Sequence, residues 1–327
     1  MTFLYIIVAL VLMFDFINGF HDSANSIACV VSTKVLSPLA AVSMAAFFNF
    51  IAFLIFPLAV AKTMGKGVVE PDAIDLNVIG GALVAAITWN LITWWWGFPS
   101  SSSHTLVGGL IGAAVASSGF GAVKSGVIMI VSFIFIAPIL GFVFSFFLSS
   151  ATMWIFRKIP PFSVDKWFRR LQLVSASAFS LGHGANDAQK SMGIIWAALL
   201  YKGMNVPEIP HWVVYSCQAA IALGTLFGGW RIVKTMGQRI TKLKPFEGFC
   251  SETAGAVTLF AATHWGIPVS TTHTITGAIM GVGARKGASA VKWGVTRKIF
   301  LAWIFTIPVS GIIGAVMYLF FNWVNFK

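Results

Sequence analysis

Asp22 and Asp187 stand inside long apolar stretches, in the motifs GFHDSANS (19–26) and GANDAQKS (184–191). A charged side chain at the centre of a bilayer costs at least ~2.5–3.5 kcal/mol and is by default functional. The Gly and the Asp recur at the same spacing in both motifs, which predicts a symmetric site with one carboxylate from each. The chemistry is cation binding, and these two carboxylates are also the expected ligands of any metal ion. Gly19 with Asn18 and Asn25 predicts a locally broken helix whose freed backbone groups face an ion or a substrate. His21, Asn186 and Lys190 complete the cation and proton side. His21 can relay protons or hydrogen-bond, and Lys190 supplies an internal ammonium for Asp187 or Asp22 that can give up its proton. The competing structural reading is a polar helix–helix contact with Asp22 paired to a neighbour. The duplication weakens it.

A second pair of motifs, PSSSSHT (99–105) and PVSTTHT (268–274), follows Trp-Gly and precedes an apolar segment in each case. Proline suits a first helical turn and Ser or Thr an N-cap. Capping accounts for one hydroxyl, not for a row of them occurring twice. Free N–H groups at a helix N-terminus together with hydroxyl donors make an anion cradle. Ser101, Ser102, Ser103, Ser270, Thr271 and Thr272 are therefore expected to grip one tetrahedral oxyanion, with Asn25 and Gln189 as amide donors. An anion beside two aspartates is repelled unless the carboxylates hold cations, which is a physical route to coupled transport. His104 and His273 recur at the same motif position and are secondary candidates. So are Asp15, one helical turn before Gly19, and Glu252, near the start of a later segment. His183, His211 and His264 read as structural.

The elements that position these residues follow from composition. Of 327 residues, 57% are hydrophobic and 10% charged, against about 25% charged in soluble domains. A water-soluble globular protein and a disordered chain are both excluded; the chain is solvated by a lipid bilayer. Ten apolar segments are expected, at 2–33, 38–61, 77–97, 100–118, 123–156, 171–201, 211–233, 249–265, 268–284 and 293–324. Each is long enough, or nearly so, for a helix crossing ~30 Å of hydrocarbon. The runs are continuous, not alternating, so a β-barrel is excluded. Whether 77–97/100–118 and 249–265/268–284 are full spans or re-entrant hairpins stays open. The N-terminal MTFLYIIVAL lacks a basic n-region and reads as part of a mature span. Cys29, Cys217 and Cys250 make no disulfide framework.

The halves repeat. GFHDSANS matches GANDAQKS, WGFPSSSSHT (96–105) matches WGIPVSTTHT (265–274), and IFIAPILG (134–141) matches IFTIPVSG (304–311), at nearly constant offset. The fold class is thus an all-α integral membrane protein of two five-segment inverted-topology repeats. It has about ten transmembrane or re-entrant helical segments and broken helices at the site: 1–156, a cytoplasmic linker at 157–170, and 171–327. An odd segment count makes the second copy enter from the opposite side. With the linker in the cytoplasm, sixteen Lys and Arg fall inside; Lys62, Lys66, Lys124, Lys202 and Lys327 fall outside. The positive-inside rule then puts both termini outside the cytoplasm. The net charge of +12 is read as this topology signal and not as a nucleic-acid footprint. Inverted repeats are the architecture of many secondary transporters. A duplicated channel or a structural membrane protein are the alternatives.

The motifs GFHDSAN, WNLITWWWGFPSSSSHTLVGG and GHGANDAQKSMG resemble the inorganic phosphate transporter (Pit) family, in particular its bacterial low-affinity branch, over residues 1–324. The resemblance implies phosphate as substrate, cation symport by alternating access, a homodimer and a bacterial inner-membrane location. It implies no enzymatic activity and no covalently bound cofactor. The transported cation is H+ or Na+, with a divalent metal ion as a further companion of phosphate. Sodium-coupled members typically carry Asn-Asp-X-X-Asn in both halves. Here His21 replaces the first Asn of one copy and Lys190 the last Asn of the other, so proton coupling is expected, with sodium coupling or a sulfate or other oxyanion permease as alternatives. An intramembrane serine hydrolase would need one asymmetric nucleophile and base, whereas every candidate here is duplicated.

Overall fold

The computed structural model describes residues 2–324; Lys327, assigned above to the outer side, lies outside the described residues. Among these there are twelve α-helices. The first half comprises α1 (Thr2–Ser32), α2 (Pro38–Ile51), α3 (Ala59–Lys66), α4 (Leu76–Trp96), α5 (Ser102–Ser118) and α6 (Gly126–Phe156). The second comprises α7 (Pro161–Tyr201), α8 (His211–Phe227), α9 (Trp230–Lys234), α10 (Pro245–His264), α11 (Thr271–Arg285) and α12 (Trp293–Trp323). By length and apolarity α1, α4, α6 and α12 can each cross a membrane, and six spans result if two bent pairs each count as one. The segments expected at 38–61 and 211–233 are those bent pairs: α2 with α3 turns by 81°, and α8 with α9 and a π turn by 61°. The long α7 does not pass on apolarity, because its middle carries His183, Asn186, Asp187, Gln189 and Lys190, all buried within the protein.

The break expected at Gly19 is absent: α1 and α7 run unbroken through both aspartate motifs. The glycines serve close approach instead. A Cβ on Gly19 would overlap the carbonyl of Ile221 in α8, and one on Gly184 would lie 2.5 Å from the carbonyl oxygen of Asn49 in α2. Small residues let helix backbones touch in this way. The real breaks lie at 97–101, between α4 and α5, and at 265–270, between α10 and α11. There Gly97 (φ +69°) and Gly266 (φ +70°) take the left-handed conformation that a tight reversal needs.

Along α1 one apolar core takes buried residues from Phe3 to Ile17 and a second takes Ala24 to Val30. Along α7 the order reverses: Ala176 and Phe179 belong to the second core, Ala188 to Leu199 to the first. The two helices therefore cross antiparallel, and 18–23 and 180–187 form a polar layer between two apolar cores. The sequence halves interlock, since α6 packs on α10 and α11 while α12 packs on α4 and α5. The stretch 157–170, expected as a linker, is helical from Pro161 onward. Loops assigned to the same side also meet. Arg169 donates to the Lys34 carbonyl (3.2 Å) and Lys286 to that of Lys242 (2.8 Å), while Lys124 donates to that of Lys66 (3.2 Å).

Candidate functional site

Both hairpin turns end in the polar layer, where Ser100 to Thr105 and Ser270 to Thr274 are buried. Ser101 and Ser270 are the N-caps of α5 and α11, accepting from the N–H of His104 (3.3 Å) and His273 (3.2 Å). The next hydroxyl of each tip meets the aspartate of its own half. Ser102 donates to Asp22 Oδ2 (3.3 Å), and Thr271 donates to Asp187 Oδ2 (3.1 Å). The tips touch one another: Ser103 donates to the Val269 carbonyl (3.3 Å), and the rings of His104 and His273 lie 4.8 Å apart. The motifs thus converge on one buried point, fed by two helix N-termini whose first-turn N–H groups have no partner within the helix.

Lys190 organises this point. Its ammonium donates to Asp187 Oδ1 (2.6 Å), to the Val269 carbonyl (2.8 Å) and to Ser103 Oγ, so all three protons are used. Asn25, its counterpart in α1, donates to Thr272 (2.9 Å) and Thr271 (3.2 Å), reaching the hairpin of the other half. Asp22 is held on its other oxygen by His21 Nδ1 (2.5 Å), and His21 Nε2 lies 3.2 Å from Thr93 Oγ1. Asp22, Asp187 and a third residue, His183, each bring one ligand atom within 4.8 Å of the others'. Two buried carboxylates and one ammonium leave one net negative charge there when the imidazoles are neutral.

Not every expected residue faces this point. Gln189 is engaged at α3: its oxygen accepts from the N–H of Val60 (3.0 Å) and Ala61 (3.2 Å), and its amide donates to the Pro57 carbonyl (2.9 Å). It caps α3 at the kink. Asn186 braces a hairpin, donating to Thr263 (3.0 Å) and the Ile267 carbonyl (3.2 Å) and accepting from the N–H of Val269 (3.2 Å). Glu252 lies in a separate cluster, accepting from Ser175 (2.7 Å) and Gln172 (3.3 Å). Asp15 accepts from Ser191 (2.5 Å). His273 stacks on Trp303 at 3.8 Å between centroids. His183, read from sequence as structural, stands beside Asp187. The available signal was positional: it aligns with Asn18, so a polar residue precedes the aspartate by one helical turn in both copies.

Fold and buried polar centre together define an integral membrane transport protein. A model described as the Phosphate transporter family matches residues 18–314. The chain belongs to this family, whose members are permeases and not enzymes. It is 56% identical to a Rhizobium meliloti protein named "Probable low-affinity inorganic phosphate transporter", covering 95% of this chain and 94% of that one. A Bacillus subtilis protein of the same name is 45% identical, covering 97% and 96%. Among solved structures, one entitled "The sodium-dependent phosphate transporter" superposes with a TM-score of 0.87 at 26% identity, covering 99% of this chain and all of that one.

Proposed function

We propose that the protein imports inorganic phosphate by proton-coupled symport, taking a metal–phosphate complex as a further form of its substrate, across the inner membrane. The observation that carries this is the meeting of two aspartates and two hydroxyl-bearing helix N-termini, one of each from either half, at one buried point. A phosphate there would accept from Thr272, from the first-turn N–H groups, and from Ser102, Ser103 and Thr271 once their hydroxyls rotate away from Asp22, the Val269 carbonyl and Asp187. A cation would offset the carboxylates and leave the centre attractive to an anion, so that neither species binds well alone. Lys190 argues against sodium. Its ammonium already occupies an oxygen cage of Asp187, Ser103 and Val269 that a Na+ would take.

The antiparallel crossing of α1 and α7, which carry the same motif, supports two repeats of opposite topology. The hairpins α4–α5 and α10–α11 are then re-entrant, since their tips meet each other inside the polar layer. The 16-to-5 bias in basic residues supports an orientation with both termini outside the cytoplasm. Purified protein in liposomes should take up labelled phosphate on an inward pH gradient without sodium. Strict sodium dependence would overturn the coupling, and competition by sulfate or arsenate would define the anion selectivity.

A further inference from the structure

Asp15 lies in α1 two turns before Asp22, about 10 Å along the axis toward the end assigned to the outer side, and it is fully buried. One carboxyl oxygen accepts from Ser191 in α7 (2.5 Å). The other makes no hydrogen bond. An ionised carboxylate at this depth, held by one hydroxyl and no cation, is far costlier than the neutral acid.

The groups around it offer no counter-charge. From α7 come Asp187, near enough for the two acids to repel, and Lys190, whose three protons go to Asp187, Ser103 and the Val269 carbonyl. His183 stands against Asp187. From α8 comes the thiol of Cys217. Helices α2 and α4 carry no ionisable residue. The segment before α9, α10 and α11 meet α1 in its other half, at Ser23, Cys29 and Asn25. On α1 itself His21 is engaged with Asp22 and Thr93.

Asp15 is nevertheless wired to the polar layer through both helices. Residues 15, 18 and 22 share one face of α1 at helical spacing, and Asn18 Oδ1 is a buried acceptor without a partner. Ser191, the donor to Asp15, lies one turn beyond Asp187 on the same face of α7.

We propose that Asp15 binds the co-transported proton, and that its ionisation closes the polar layer to phosphate. The proposal rests on the proton-coupled reading above and gives the proton its carboxyl. A proton taken from outer water forms the Asp15 O–H bond, and its release to inner water breaks the same bond; no electrons are exchanged. With the proton in place, Asp22, Asp187 and Lys190 leave one net negative charge. With the proton gone there are two, and an anion is repelled.

Phosphate binding to the purified protein in lipid nanodiscs, followed across pH, and transport in liposomes test the assignment. Asp15→Asn keeps the volume and is neutral at every pH. Affinity of the unaltered protein, relative to Asp15→Asn at the same pH, should fall above a midpoint by up to about tenfold per pH unit, the linkage of one proton. Phosphate's own ionisation cancels in that ratio. In liposomes Asp15→Asn should exchange phosphate across the membrane but lose accumulation on a pH gradient. Accumulation by Asp15→Asn equal to that of the unaltered protein overturns the assignment, and so does a folded Asp15→Asn that has lost exchange as well. Should Asp15→Asn not fold, Ser191→Ala decides, because it keeps the carboxyl and removes its donor. The midpoint for phosphate binding should then move, and an unmoved midpoint overturns the role of Asp15. Strict sodium dependence of the unaltered protein would instead overturn the proton-coupled reading itself, before any variant is made.

Discussion

Asp22 and Lys190 carry the sharpest single-residue consequences. Asp22 is buried and held by His21 and Ser102, with no lysine paired to it among the described residues. Asp22→Asn keeps the volume and removes the charge, so phosphate uptake should fall to background while the protein stays folded. Near-normal uptake by a correctly sized, helical variant would remove Asp22 from the mechanism. Lys190 behaves differently, because it is one half of a buried pair. Removing one member of such a pair leaves an uncompensated charge and costs roughly 3–5 kcal/mol. In Lys190→Asn the vacated cage of Asp187, Ser103 and the Val269 carbonyl offers oxygen ligands to an alkali cation. Its thermal stability should drop in potassium buffer and recover in sodium, with sodium-stimulated uptake appearing alongside. A melting temperature indifferent to the choice of cation would show that the ammonium does not stand in a sodium position.

Within the hairpins, neighbouring hydroxyls separate capping from binding. Ser101 accepts from the His104 N–H as an N-cap, so Ser101→Ala should cost about 1 kcal/mol of stability and leave most uptake intact. Ser102 sits one residue on and faces Asp22. Ser102→Ala should weaken phosphate uptake several-fold with little change in thermal stability. Equal effects of the two substitutions on both measurements would mean that the tip acts only as a helix start. Helix contacts make a further demand. A side chain on Gly184 runs into the Asn49 backbone, and overpacking typically costs about 1–3 kcal/mol. Gly184→Leu should therefore lower the melting temperature and push α2 away from α7, so that phosphate uptake is lost together with stability.

At the scale of the molecule, the His104–His273 contact joins tips that belong to opposite halves. Alternating access moves one part of such a protein against another, so linking the tips should arrest it. The double variant His104→Cys with His273→Cys, treated with a short bifunctional thiol reagent, should lose uptake on crosslinking and regain it when a cleavable reagent is reduced. Transport through a fully crosslinked pair would show that the tips move as one body. Orientation has its own readout. A cysteine replacing Lys124 should be labelled by an impermeant maleimide in intact cells, and one replacing Lys242 only after permeabilisation; the reverse pattern would invert the topology.

Lipid solvation, the duplication, the two aspartates and the two hydroxyl rows could all be read from residue order. They are properties of single segments: hydropathy sums along a stretch, and a repeat shows itself by constant offset. The interlocking of α6 and α12 with the opposite hairpins could not. Neither could the bending of α2–α3 and α8–α9, nor the role of Gly19 and Gly184 as close-approach points in unbroken helices. Gln189, Asn186 and Glu252 look like site residues by type and neighbourhood, and their hydrogen bonds turn them to other work. His183 looks structural until Asn49, 134 positions away, fixes which nitrogen faces Asp187. A side chain's role depends on what fills its donors and acceptors. Here those partners are set by the antiparallel crossing of α1 and α7 and by the helices packed on them, so tertiary structure alone decides it.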